Sequence, residues 1–127
     1  SLSDFSGAKI TGQLSTLHYD VIDKIPGVDK QTALDTFPAM IVALTSGRID
    51  GYVSERPGAL SAITSNLDLT FVSFAEGQGF EEDIPVAVGL QKESSLMAAI
   101  NAALAKLDEA SRNDLMVEAV VRQPLSE

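Results

Sequence analysis

The fold is decided by residues 43–57, which read ALTSGRIDGYVSERP. Gly47 is placed to end a helix, because glycine readily takes the left-handed conformation found at helix ends. Residues 49–53 then predict a strand, since they include residue types that favour extended structure. Pro57 predicts the start of the next helix, because proline is tolerated in a first turn but not further inside. The stretch therefore predicts the helix–strand–helix alternation of an α/β protein.

The same alternation extends outward from this stretch in both directions. Short apolar or alternating runs predict further strands at residues 8–13, 28–33, 69–74 and 84–90. Apolar residues at helical spacing predict a helix at residues 17–25, and others after caps at Thr36, Ser94 and Ser111. Strands that alternate with short helices predict a mainly parallel open sheet flanked by helices.

Composition excludes several classes of function. The 127 residues include 18 acidic and 9 basic side chains, for a net charge of −9, and the basic residues are scattered. Nucleic acid and anionic membrane surfaces are therefore not expected partners. There is no cysteine, hence no disulfide, thiol nucleophile or thiolate metal site. No nucleophile stands beside a base and no ligand set has metal spacing, so we expect neither a cofactor nor a bound metal.

Two polar stretches follow predicted strands, where open parallel sheets bind their ligands. The first comprises Gln13, Leu14, Ser15, Thr16, Leu17 and His18. The backbone N–H groups of Thr16, Leu17 and His18 open a predicted helix, have no partner inside it and can bind a carboxylate or phosphate. The alternative is that Ser15 or Thr16 simply caps the helix, with water beyond.

The second stretch places Glu55 directly after the third predicted strand, beside the start of a helix. Its carboxylate can accept hydrogen bonds from an ammonium group; the alternative is a solvated Glu55 that pairs with Arg56. An anion site and a cation site at one sheet edge together suit a zwitterion, the α-carboxylate and α-ammonium of an amino acid. His18 is the only histidine, and with Glu55 it could also form an acid–base pair.

Residues 43–57 resemble a run typical of the polar amino-acid substrate-binding proteins of ABC transporters, which have the type II periplasmic-binding-protein fold. That run reads Ala-Leu-x-Ser-Gly-Arg-x-Asp-Ala and ends in an acidic residue. Residues 2–10, 13–17, 86–92 and 96–104 are similar to further segments of the family. The resemblance spans almost the whole chain, but it corresponds only to the C-terminal half of a typical member.

The resemblance implies two parts. Residues 1–90 are expected to form the second, ligand-binding lobe, and residues 91–127 a helical segment that docks on a first lobe absent from this chain. Glu55 is expected to bind the substrate ammonium, backbone N–H groups around Thr16 and Leu17 its carboxylate, and Gln13 to present a side chain to the ligand. Relatives often have Asp at the position of Glu55 and Thr or Gly at that of Leu17. The arginine that clamps the carboxylate lies in the absent lobe.

The function implied is extracytoplasmic binding of a polar amino acid for delivery to an ABC permease, without catalysis. The parent protein is expected to be lipid-anchored or fused to its permease. Two alternatives on the same fold stay open: the sensor domain of a membrane receptor, and a dehydratase of a cyclic acid with Glu55 or His18 as catalyst. Without the first lobe, the apolar faces of the last two helices are expected to self-associate or to pack elsewhere.

Overall fold

A computed structural model of the protein describes residues 1–75, 77–80 and 87–122. The chain divides into two compact units, Ser1–Glu81 and Glu82–Glu127. The sequence predicts two parts that divide after residue 90, and this division stays a prediction. All three strands lie in the first unit, and the last two helices lie in the second.

The first unit is built on a three-stranded parallel sheet. Strand β1 is Lys9–Gly12, β2 is Asp29–Lys30 and β3 is Gly51–Val53. Their order across the sheet is β2-β1-β3, so the first strand of the chain lies in the centre. Lys9 lies opposite Asp29, and Ile10 opposite Gly51. This arrangement confirms the predicted class, an α/β fold with an open parallel sheet.

Three α-helices connect or follow these strands: α1, Leu17–Asp20; α2, Phe37–Thr45; and α3, Arg56–Ser65. Short 3-10 helices occupy Leu2–Phe5 and Val21–Lys24, the latter continuing α1. The predicted cap of α2 is confirmed, because the Thr36 hydroxyl accepts a hydrogen bond from the Ala39 N–H at 3.3 Å. Gly47 follows this helix with φ +72°, which confirms its predicted role at the helix end.

The hydrophobic core lies on the sheet of the first unit. Ile10 of β1 is buried together with Ile22 and Ile25, which follow α1. Met40 and Ala43 are buried on α2, and Ala62 on α3. The core therefore fixes the helices that flank β1 and β3, the two strands whose ends precede the candidate site.

Two strand predictions differ from the structure. Residues 69–74 form no strand, so the prediction of a fourth strand there is wrong. They line a groove together with β3 but do not pair with it, and a strand needs such a neighbour for its ladder. Of the predicted fifth strand, residues 84–86 lie outside the described residues, and residues 87–90 form no strand.

The second unit contains α4, Met97–Leu104, and α5, Glu109–Arg122. The predicted cap of α5 at Ser111 is wrong, since the carboxylate of Asp108 accepts the Ser111 N–H at 2.8 Å and Ser111 lies inside the helix. That hydrogen bond lowers the pKa of Asp108 below its ordinary value. Of residues 87–122, none is buried. In the described chain, no helix is both long and apolar enough to span a membrane.

Candidate functional site

The carboxyl end of β1 is the first part of the candidate site. Gly12 ends this strand, and a Cβ atom there would lie 2.9 Å from the Cα of Tyr19 and 3.1 Å from the carbonyl oxygen of His18. Backbone atoms of this kind cannot move aside as the end of a side chain can. The missing side chain at Gly12 therefore allows α1 to fold back closely over the strand that precedes it.

The turn between β1 and α1 leaves a row of backbone donors unused. Ser15 has φ 59°, the left-handed region, and Thr16 is extended before the helix begins. The Thr16 hydroxyl donates to the Gln13 carbonyl at 2.7 Å, which closes the turn. Among the described residues, no acceptor is hydrogen-bonded to the N–H groups of Ser15, Thr16, Leu17 or His18. These donors are therefore open to an anionic ligand.

The helix that follows this turn is shorter than the sequence predicts. The sequence indicates a helix over residues 17–25, but the α-helical part ends after a single turn and continues as a 3-10 helix. One turn of helix contributes little aligned dipole. Any attraction for a carboxylate at this place therefore depends on the free N–H groups themselves and not on a helix macrodipole.

Glu55 and His18 come together at this edge of the sheet. Glu55 follows β3 as the residue before α3, and its Oε2 lies 3.5 Å from Nε2 of His18 in the first turn of α1. Both side chains keep contact with solvent, at 54% and 34% exposure respectively. The carboxylate and the free donors of the β1–α1 turn thus lie at the same edge, as the sequence predicts for their positions.

A glycine in α3 leaves room for the Glu55 carboxylate. A Cβ atom at Gly58 would lie 2.9 Å from Oε1 of Glu55, 2.9 Å from the Ser54 hydroxyl and 3.0 Å from Cζ of Phe37. The Ser54 hydroxyl also lies 3.3 Å from Oε2 of Glu55, to which it donates. Gly58 therefore permits a carboxylate, a hydroxyl and an aromatic edge to converge beside the first turn of α3.

An aromatic pair lies beside the carboxylate. The rings of Phe37 and Tyr52 meet edge to face with their centroids 5.5 Å apart. Burial, and secondly the negative charge of Glu55, raises the pKa of the Tyr52 hydroxyl above its ordinary value. The buried setting of Tyr52 and the charge of Glu55 therefore both oppose ionisation of the phenol.

Comparisons of the chain with protein-family models, with curated proteins and with solved structures found no match. Within the described residues, no group of three or more His, Asp or Glu side chains could hold a metal ion.

The side chains of the predicted ligand-binding residues differ in whether they already make hydrogen bonds within the chain. The side-chain amide nitrogen of Gln13 donates to the Asp35 carbonyl at 3.2 Å, so this side chain also helps to fix the segment that precedes α2. The hydroxyl of Thr16 is used within its own turn. Leu17 can offer only its N–H. The ligand-binding roles of these residues, and of Ser15, His18 and Glu55, stay predictions.

Gly12, Gly58 and Tyr52 belong to the site but were not predicted from the sequence. A glycine at a strand end or in a first helical turn often marks a close approach of other atoms, and this signal was available at both glycines. Tyr52 was predicted only as part of a strand. Its proximity to Glu55 depends on the turn into α3, which no local pattern specifies.

Proposed function

We propose that this chain is the ligand-binding lobe of an extracytoplasmic binding protein that delivers a polar amino acid to an ABC permease. In this function Glu55 binds the α-ammonium group and the N–H groups of residues 15–18 bind the α-carboxylate. The protein is a binding module and not a catalyst. Its amino acid is enclosed when a first lobe, carried by the same protein, closes over the site.

The observation that supports this proposal best is the short separation of Glu55 from the β1–α1 turn. Because His18 in that turn lies 3.5 Å from Glu55, a molecule the size of an amino acid can reach both the carboxylate and the free N–H donors. An acceptor for a cation and donors for an anion at this spacing suit a zwitterion. Charge-assisted hydrogen bonds at each end would also fix its orientation.

The second unit supports the same proposal in a different way. Its described helices bury no residue, and Leu96, Met97, Leu115 and Met116 are each between 41% and 58% exposed. An exposed apolar set of this kind marks an interaction surface. In the proposed function the surface that covers it is the first lobe.

The proposal can be tested on this chain by recording amide NMR spectra while single amino acids are added to millimolar concentration. The open site binds weakly, so we expect fast-exchange shifts that centre on the amides of residues 15–18. Glu55→Gln should abolish them, whereas Asp20→Asn, which removes a nearby charge outside the site, should not. Shifts that are scattered over the surface, or that persist in Glu55→Gln, would contradict the proposal.

A second candidate function is supported by the same pair of side chains. An imidazole 3.5 Å from a carboxylate is the arrangement of a general acid–base pair, which a dehydratase of a cyclic acid requires. An assay for dehydration by the complete protein distinguishes the two functions. Turnover that is lost in both His18→Gln and Glu55→Gln would support the enzyme; amino-acid binding without turnover supports the binding protein.

A further inference from the structure

The first unit contains a groove of about 460 Å³ that reaches Ile10 of β1 and the core residue Ile25 as well as β3. Its walls are β3, one side of α3 and residues 69–74. Apolar side chains predominate in the lining, among them Ile63, Phe71, Phe74 and Phe80. The groove does not include Glu55 or the β1–α1 turn, but it borders the candidate amino-acid site, because Tyr52 and Ser54 line it.

The wall formed by β3 presents unpaired backbone groups. The carbonyls of Ile10 and Gly12 accept hydrogen bonds on the β2 side of β1, so the intervening Thr11 faces β3. Thr11 lies opposite Tyr52. In a parallel ladder, a residue forms its hydrogen bonds with the two neighbours of the residue opposite, so Thr11 pairs with Gly51 and Val53 and not with Tyr52 itself. The N–H and C=O of Tyr52 therefore point away from β1, and no described residue is hydrogen-bonded to them.

The wall formed by residues 70–74 also lacks backbone hydrogen bonds to described residues. Within the described chain, residues 70–74 make no backbone hydrogen bond, although they line the groove. Unpaired backbone groups at a sheet edge form a template for another strand. A small apolar molecule would fill the volume but leave these groups unsatisfied, which is costly once water is displaced. An extended peptide supplies both the apolar contacts and the missing hydrogen bonds.

The ends of the groove add a requirement for charge. Asp50 and Arg56, which flank β3 along the chain, both line it. The Arg56 guanidinium makes no ion pair with a described residue, and Asp50 uses one carboxylate oxygen to accept the Lys9 N–H at 2.8 Å. A strand bound along β3 would therefore place one end near an acidic residue and the other near a basic residue.

We propose that this groove binds an extended peptide strand by adding it to the free edge of β3. The strand carries apolar side chains at alternate positions, a basic residue near Asp50 and an acidic residue near Arg56. Recognition of this type draws affinity from main-chain hydrogen bonds and specificity from the alternate side chains. It does not require the proposed amino-acid binding, although Tyr52 takes part in both places.

The test uses two acetylated and amidated peptides, Lys-Val-Thr-Val-Thr-Val-Glu and Glu-Val-Thr-Val-Thr-Val-Lys, which provide the charge pair for either strand direction. Binding to the full chain is measured by calorimetry, and exchange of the Tyr52 amide hydrogen by NMR. We expect one of the peptides to bind and to slow exchange at Tyr52. N-methylation of its valine amides should weaken binding at least about tenfold, because it removes hydrogen-bond donors and keeps every side chain.

A pair of protein variants tests the same contact from the other side. Tyr52→Pro removes the N–H that points into the groove, a substitution that an edge strand tolerates when its N–H faces outward. Tyr52→Ala is the matched control, because it also loses the ring but retains the N–H. We expect the peptide to bind the alanine variant and to bind the proline variant at least about tenfold less tightly. If Tyr52→Pro does not fold, the N-methylated peptides alone decide the question.

Two results would overturn the proposal. Equal affinity for the parent and N-methylated peptides would mean that the groove recognises apolar surface and not a strand. Dimerisation of the chain without peptide binding, lost in Tyr52→Pro but not in Tyr52→Ala, would assign the edge of β3 to a second copy of this chain.

Discussion

Nε2 of His18 lies 3.5 Å from Oε2 of Glu55, which joins the first turn of α1 to the residue that precedes α3. The two residues follow different strands, and those strands are adjacent and parallel in the sheet. Their carboxyl ends therefore meet at one edge. The positions of the groups that a ligand would contact there depend on how α1 and α3 pack on the core.

Under the proposed function, substitution of Glu55 in a two-lobed protein should strongly weaken amino-acid binding. In a closed cleft that excludes water, Glu55→Gln leaves the ammonium group without its charged partner. We expect a loss of about 2–5 kcal/mol, or roughly 30-fold to several-thousand-fold in Kd. Glu55→Asp should cost less, because the charge is retained. Titration calorimetry with a panel of amino acids measures both, and an unchanged Kd for Glu55→Gln would exclude this role.

Glu55 should also be detectable through the ionisation of Tyr52. Its charge helps to raise the pKa of Tyr52, so Glu55→Gln should lower that pKa, while burial should hold it above the ordinary value. Ultraviolet absorbance of the phenolate reports the titration, with Tyr19→Phe as background so that only Tyr52 contributes. No change in the Tyr52 titration on removal of the Glu55 charge would contradict the proximity of the two groups.

The raised pKa of Tyr52 also predicts how the free energy of unfolding depends on pH. Because the pKa of Tyr52 is higher in the folded chain than in the unfolded chain, its stabilising contribution is complete below the ordinary tyrosine pKa of about 10. That contribution is lost as the pH rises from there through the raised value. Urea unfolding across this range should show a smaller loss of stability in Tyr52→Phe than in the parent chain.

Gly58→Ala should separate the stability of α3 from the geometry of the site. Alanine favours a helix over glycine by about 1 kcal/mol, but its Cβ would lie 2.9 Å from Oε1 of Glu55. The flexible end of Glu55 and the Ser54 hydroxyl can move away, but the Phe37 ring, with Cζ 3.0 Å from the added Cβ, must also shift. We therefore expect the gain in helix propensity to be largely offset, and the response to amino acids in the NMR titration to weaken. Ser65→Ala, in the last turn of α3, is the control that changes helix propensity alone. A normal amino-acid response in Gly58→Ala would show that the position of Glu55 does not depend on this glycine.

The second unit should make the isolated chain self-associate. Leu115 is 53% exposed on α5, and burying such a side chain contributes about 1.5–3 kcal/mol. Leu115→Lys should therefore weaken association by roughly ten-fold or more, measured by sedimentation over a range of concentrations. Asn113→Lys adds the same charge at an exposed polar position and should have little effect. A parent chain that stays monomeric at all concentrations would contradict this prediction.

The accuracy of the sequence predictions follows how local each signal is. The end of α2 at Gly47 and its cap at Thr36 depend on nearby backbone groups, and both were predicted correctly. Residues 69–74 have the composition of a strand but no paired neighbour, and no local pattern reports the lack of a neighbour. At α5, Asp108 and Ser111 are both good caps, and only the observed hydrogen bond distinguishes them. The sequence predicted Glu55 and the β1–α1 turn at one edge, but not the glycines that let them approach.

The central place of β1 affects how the chain is made. Lys9 in β1 and Asp50 before β3 are hydrogen-bonded although 41 positions separate them. At a synthesis rate of about 5–20 residues per second, a ribosome needs roughly 2–8 s to proceed from one to the other. During that interval the nascent β1 has no partner on its β3 side, and an unpaired strand can associate with other chains. β1 is thus made before both of its neighbours, and its pairing is complete only after residues 51–53 have been synthesised.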